Sequence, residues 1–403
     1  MSAHRSSQSD RGSESHRVKA TLRDDERVTP LELFFDLVFV LALTQCTTLI
    51  VRTPTWGGML KGVLVLGVLW WSWVGYAWLT SVVDPEEGAV RLTMFVAMAA
   101  FLVAALCVPG AFGSEGLLFA CAYAVVRAAH IFLFMLASRD DRALRQSVLG
   151  LAVSTAVGAG LLFVAAAMSG DARVAIWGLA LLLDMGGPFL FGQDGWKLVP
   201  AHFAERHGAI VIIALGESIV ALGVGAKAAI GAGVVVAAAL GVVVAAALWW
   251  VYFDVTAIVA RRRLAKAAPG RERNGIARDS YSYMHFPMVA GVALLAVGLK
   301  VTLEHVDRSL ALVPAAALLG GTALYLLAHV AFRLRNMRTL SMRRLLCAIV
   351  LLALLPATGS ISALTTLAIV AALLLALIAY EAIRYADSRE RVRHELAREP
   401  IGQ

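Results

Sequence analysis

Apolar runs follow one another along almost the whole chain, broken by short polar stretches. At 1.5 Å per residue, a helix of about 20 such residues crosses roughly 30 Å of hydrocarbon. The pattern predicts an all-α polytopic transmembrane helix bundle of twelve spans. They lie at 31–50, 58–80, 90–108, 116–137, 146–168, 173–191, 207–225, 231–254, 283–302, 309–332, 343–359 and 363–383. Between the last two, Leu355-Pro356 and Gly359-Ser360 mark a break with almost no loop, so a single re-entrant hairpin is the alternative there. Residues 1–28 are rich in Ser, Arg, Asp and Glu and have no apolar signal core. They read as a disordered cytoplasmic tail, and 386–403 as a second cytoplasmic tail.

The pattern also repeats. LVFVLALTQ (Leu37–Gln45) lies over AIVIIALGE (Ala209–Glu217), each ending on a polar residue inside a helix. The second and eighth spans share Leu69-Trp70-Trp71 and Leu248-Trp249-Trp250. The third and ninth share Met94 and Met98 with Met284 and Met288, and the fourth and tenth share His130 and His329. Two membrane halves follow, 29–195 and 196–385. Six spans is an even number, so the halves enter the bilayer in one orientation, as parallel repeats about an axis along the membrane normal.

Composition agrees with this reading. Of 403 residues, 60% are hydrophobic and 16% charged, against about 25% charged in soluble domains. A net charge of +8 could suggest nucleic acid, but its distribution speaks otherwise. With the N-terminus inside, the two densest clusters, Arg261 through Arg278 and Arg333 through Arg344, both fall inside. The outer loops keep only Arg52, Lys61, Arg173, Lys227, Lys300 and Arg308. This is the positive-inside rule. It places both termini in the cytoplasm and makes the bilayer the partner, with no nucleic acid. The loop 255–282 reads as a solvated basic segment touching anionic lipid. Cys46, Cys107, Cys121 and Cys347 form no CxxC pair and read as small buried hydrophobes. The chain holds no GxxxxGK[ST], no HExxH and no nucleophile–base pair. Neither a cofactor, a metal nor an enzymatic activity is expected.

The candidate chemistry is a set of polar residues at membrane depth, where an ionised group is costly and survives facing protein or water. Glu32 and Asp36 are four residues apart and share a helix face. Arg127 and His130 share another. Asp184 lies in the sixth span, Glu217 in the seventh near the midplane, and Asp254 at the end of the eighth beside Tyr252. Trp73 and Tyr76 read as the polar flank of the second span. One buried cation, Arg127, serves as counter-charge for several acids, so the remaining acids must be protonated or hydrated. Gly216 and Gly223 would let a backbone or substrate approach Glu217. His202, Glu205, Arg206 and His207 read as the interfacial start of the seventh span, and Tyr281, Tyr283 and His285 as an aromatic belt.

Together PLELFFDLVFVLALTQ (Pro30–Gln45), ERHGAIVIIALGESIVALG (Glu205–Gly223), WWVYFD (Trp249–Asp254) and YSYMHFPMVAGVALLAVG (Tyr281–Gly298) resemble the bacterial low temperature requirement A proteins over about residues 28–385. The resemblance implies a multi-pass bacterial plasma-membrane protein. It carries over Glu32, Phe35, Asp36, Glu205, His207, Gly216, Glu217 and Ser218 as motif positions, without assigning them roles. FFDLVF also looks like the FSD-type motif of a twelve-helix endolysosomal potassium channel family, with Phe35 in place of Ser and no counterpart at His207-Gly208. The expected function is a secondary transporter of the inner membrane for a small solute or ion, coupled to protons. Its coupling residues would come from Glu32, Asp36, Arg127, His130, Asp184, His207, Glu217 and Asp254. A cation channel, or a non-transporting membrane stress sensor or scaffold, is the alternative.

Overall fold

The computed structural model describes residues 27–192, 195–225, 230–384 and 386, and among these every element is helical. The expected tails lie outside the described residues, apart from their innermost positions. α1 (Pro30–Arg52) opens on a capping box: Thr29 accepts from the Glu32 amide, and the Glu32 carboxylate accepts from the Thr29 amide at 2.8 Å. Pro30 stands in the first turn, where its missing donor costs nothing. The helix turns Phe35, Asp36, Phe39, Leu43, Cys46 and Thr47 inward, and Leu33, Phe34 and Leu37 outward. An apolar exterior over a mixed interior is the arrangement of a helix solvated by lipid.

α2 (Trp56–Thr80), α3 (Gly88–Cys107), α4 (Gly116–Ala137), α5 (Arg142–Ala167) and α6 (Gly170–Leu190) follow. α1 packs on α2 and α3, α3 on α4, α4 on α5, α5 on α6, and α2 on α6. Asp141 caps α5, and the Leu144 amide together with nearby Lys197 holds its carboxyl below the usual aspartate range.

α7 (Pro200–Gly225) starts seven residues before the expected 207. α8 (Ala232–Phe253) ends at Asp254, and α9 (Thr256–Lys266) and α10 (Arg271–Ile276) lead through a π-helical turn at Ala277–Tyr283 into α11 (His285–Glu304). Gly270, at φ 90°, makes the turn between α9 and α10 in a conformation few other residues adopt. The loop expected to be solvated is thus ordered: Ala260, Leu264, Ala267, Ile276 and Ala277 bury its apolar side, and only its arginine side fits the expectation. α12 (Leu312–Ala315), a second π-helical turn and α13 (Gly321–Met337) form the next span. α14 (Met342–Ala353), a 3-10 turn (Leu355–Ser360) and α15 (Ala363–Arg384) complete the chain. Here α7 packs on α8 and α11, α11 on α13, α13 on α14, α14 on α15, and α8 on α15.

Among the described residues, eleven helical segments are long and apolar enough to cross a membrane. The twelfth expected span, 343–359, is the exception, because α14 has only 12 residues. Its start is fixed by Arg344, which grips Glu381 of α15 with two bonds of 2.9 Å and reaches the Val251 carbonyl at the end of α8. Beyond its 3-10 turn, the Ala363 and Leu364 amides bond to the Arg308 and Val306 carbonyls, just past the end of α11.

A buried seam of ionisable residues between α1 and α7

α1 and α7 lie side by side and run parallel. Glu32 Oε1 meets His202 Nε2 at 2.9 Å, Asp36 Oδ1 accepts from Arg206 Nη2 at 2.9 Å, and Glu217 Oε1 accepts from Thr47 at 3.0 Å. Each pair is separated by 170 positions in the chain. The acids stand four apart on α1, and their partners stand four apart on α7, so each set occupies one helix face and the two faces match.

The first two pairs form one cluster. Glu32, Asp36, His202 and Arg206 are all fully buried. Arg206 Nη1 also lies 3.4 Å from Glu32 Oε1, and its guanidinium stands 5.6 Å from the centre of the Trp73 ring. The Trp73 indole donates to Asp36 Oδ1 at 2.8 Å. Asp36 Oδ2 has no hydrogen-bond partner among the described residues. A desolvated ion pair is held only where geometry and further hydrogen bonds compensate, and here the capping box and the indole supply them.

Glu217 lies about 16 Å farther along α7 than Arg206, at 1.5 Å per residue. Because α7 starts at Pro200, Glu217 sits past the middle of its helix. It is buried and accepts from Thr44 at 2.5 Å and Thr47 at 3.0 Å. No base among the described residues forms a salt bridge with it, and Lys300 acts on it only through space. Each threonine hydroxyl also reaches a carbonyl of its own helix, Thr44 to Val40 at 3.1 Å and Thr47 to Thr44 at 2.9 Å. A hydroxyl has one hydrogen and two lone pairs. Each can therefore donate to a Glu217 carboxylate, or turn its hydrogen to the carbonyl and accept from a carboxylic acid. Gly216 and Gly223 have nothing within 4 Å of where a side chain would stand, so they open a face rather than seat a neighbouring backbone.

Arg127 is not the counter-charge of this seam. It binds Asp184 at 3.0 Å and Thr155 at 2.5 Å, and Asp184 also accepts from Tyr123 at 2.6 Å. This closed cluster joins α4, α5 and α6. The tight α5–α6 approach at Gly158, where an added Cβ would stand 2.9 Å from Asp184 Cβ, holds it together. The cation that serves the seam is Arg206, which sequence reading left at the interface. The i, i+4 pair His202/Arg206, set against Glu32/Asp36 at the same spacing, was the signal for it, and Thr29-x-x-Glu32 was the signal for the cap.

His207 belongs to a third group. Its Nδ1 donates to the Phe203 carbonyl at 2.8 Å, leaving Nε2 a lone pair with no partner among the described residues. The ring packs 5.1 Å from His285 and 5.3 Å from Tyr281. His285 Nδ1 donates to Ser280, so its Nε2 accepts from Tyr252 at 2.9 Å. Tyr281 and His285 are thus core residues, not an aromatic belt. The π-helical turn draws them inward, while the Trp70 and Trp78 indoles bond to Ser282 on the same turn. His130 packs against Tyr76 at 5.4 Å, as His329 does against Tyr252 at 5.6 Å. Asp254, half-buried at the end of α8, is part of none of these pairs, and Trp249 is exposed where Trp70 and Trp71 are buried. Of the cysteines, Cys121 is exposed. Among the described residues no cluster of His, Cys, Asp or Glu could hold a metal ion.

An uncharacterized protein of Rhizobium meliloti (strain 1021) is 29% identical to the chain over 323 residues, covering 77% of this chain and 78% of that protein. No solved structure matches significantly. Residues 27–379 match the family described as Bacterial low temperature requirement A protein (LtrA). With nearly all its described helices inside that match and eleven of them able to cross a bilayer, this multi-pass membrane protein belongs to the bacterial low temperature requirement A family.

Proposed function

We propose that the protein is a proton-coupled secondary transporter of the bacterial inner membrane, with Glu217 as the group that takes up and releases the proton. The observation that carries this reading is the Glu217 site. A buried carboxyl on a membrane-spanning helix, with no salt bridge among the described residues and with two hydroxyls able to serve either protonation state, suits a proton carrier. The Glu32/Asp36–His202/Arg206 cluster on the same seam supplies the fixed charge against which α1 and α7 would move.

The architecture proposed with it is two parallel six-helix repeats, 29–195 and 196–385, with twelve crossings and both termini cytoplasmic. The matched order of helix contacts in the two halves supports the repeat, as do the parallel α1–α7 pair and the His–Tyr contacts of α4 with α2 and of α13 with α8. For the twelfth crossing, α14 and its 3-10 turn extend about 30 Å at 1.5 and 2.0 Å per residue, from the end of α8 to the end of α11.

The test is charge movement by purified protein in liposomes on a solid-supported membrane, after jumps of pH, sodium and potassium. A transient current driven by pH and lost in Glu217→Gln is the expected result. A pH-driven current of equal size in the variant would overturn the role of Glu217, and a sustained potassium or sodium current would replace the transporter with a channel.

A further inference from the structure

A second site lies in the first half, outside the α1–α7 seam. α2, α4, α5, α6 and the π-helical turn enclose a cavity whose charged and polar wall includes Arg127, His130 and Arg278, faced by Trp71, Trp78 and Trp196. Every charged residue that lines it, among the described residues, is basic. Asp184, which pairs with Arg127, and Asp279, which pairs with Arg278 at 2.7 Å, are not part of the lining. Asp279 is shared, because Arg335 also binds it at 3.0 Å. Two donors on lining residues, the Trp71 indole N–H and the Arg127 Nε–H, are buried and have no acceptor among the described residues. Leaving such donors unmatched is costly.

The space open to the centre of a water-sized sphere is about 50 Å³. At roughly 10–15 Å³ per water, that admits three to five water-sized groups. Guanidinium groups favour planar and tetrahedral oxyanions, and indole faces cover an apolar neighbour. We propose that this cavity binds a small oxyanion, a carboxylate or a phosphate, either free in solution or as the head of an anionic lipid. The site does not depend on the proton-carrier reading, since Glu217 takes no part in it.

The test is a tryptophan-fluorescence titration of the full chain in zwitterionic nanodiscs, with sodium acetate and inorganic phosphate as probes at constant ionic strength. The same protein is also compared in discs with and without phosphatidylglycerol. Arg278 is half-buried at the cavity edge, so Arg278→Gln is the main variant, with His130→Gln as the second. Size-exclusion profile and thermal unfolding check that each variant folds. A saturable response to acetate or phosphate, weakened at least tenfold by Arg278→Gln and unchanged by Glu217→Gln, establishes a site for a free anion. A response to phosphatidylglycerol alone, lost in Arg278→Gln, establishes the lipid-head form. No saturable response to any of the three probes in folded protein overturns the proposal. So does a response that Arg278→Gln and His130→Gln leave untouched, or saturation by tetramethylammonium in place of the anions.

Discussion

Arg206 shows what a single side chain does in this fold. It is buried among Glu32, Asp36 and Trp73, and removing it strands two carboxylates away from water. Breaking a buried pair from one side costs about 3–5 kcal/mol, whereas removing both partners together costs far less. Arg206→Ala is therefore expected to lower the thermal unfolding temperature of detergent-solubilised protein sharply, and the combination with Glu32→Gln and Asp36→Asn to recover much of the loss. A triple variant no more stable than Arg206→Ala would show that the seam is not held by charge pairing. The acids themselves were legible in the sequence, because an acid inside an apolar run stands out on its own. Arg206 was not, because a basic residue at the start of a span is what any cytoplasmic helix end looks like. Only the matched spacing of both pairs separates the two cases.

At the scale of helices, α11 and α13 meet backbone to backbone at a pair of glycines. A Cβ on Gly291 of α11 would stand 2.7 Å from the Gly321 carbonyl of α13, and one on Gly321 would stand 2.7 Å from the Gly291 carbonyl. Backbone meets backbone there, so neither side can give way. Gly291→Ala or Gly321→Ala is expected to cost about 1–3 kcal/mol through overpacking. Gly216→Ala and Gly223→Ala, in open space, should be neutral or slightly stabilising through helix propensity. Thermal unfolding of the four variants checks this contrast. Eleven of the twelve expected spans were readable, most of them to within a few residues, since a run of apolar residues needs no partner to be recognised. The two π-helical turns and the inward rotation of Tyr281 and His285 were not. They depend on which neighbour each face meets, and a helix that is apolar on all sides does not announce its buried face.

At the scale of the whole molecule, the count of crossings rests on α14. If it and its 3-10 turn traverse the bilayer, Thr339 and Ser360, both exposed, open to opposite sides. Cysteines placed there singly, in a Cys121→Ser background since the other native cysteines are buried, should react with an impermeant maleimide from opposite faces of oriented vesicles. Labelling from one face would make this segment the hairpin that the Leu355–Ser360 break allows. The two proposed halves were read from repeated motifs, Leu37–Gln45 against Ala209–Glu217 among them, whereas the constant spacing of 170 in the α1–α7 side-chain contacts joins neighbours rather than equivalent positions. Apolar residues align almost as well in one register as in another, so which α1 residue meets which α7 residue was not legible in that alignment.

That constant offset has a mechanical consequence. Glu32 and Asp36 are one helical turn apart, and a turn is about 5.4 Å. Sliding α7 by that distance toward the start of α1 would move Arg206, which touches both carboxylates, off Asp36 and fully onto Glu32. The same slide would carry Glu217 off Thr44 and Thr47 and onto Val40 and Leu43, where no hydroxyl awaits it. In the proposed transporter, the charged end would accept such a step as a ratchet does, and the other end would resist it as a pawl does, because an ionised Glu217 would lose both hydroxyl donors at once.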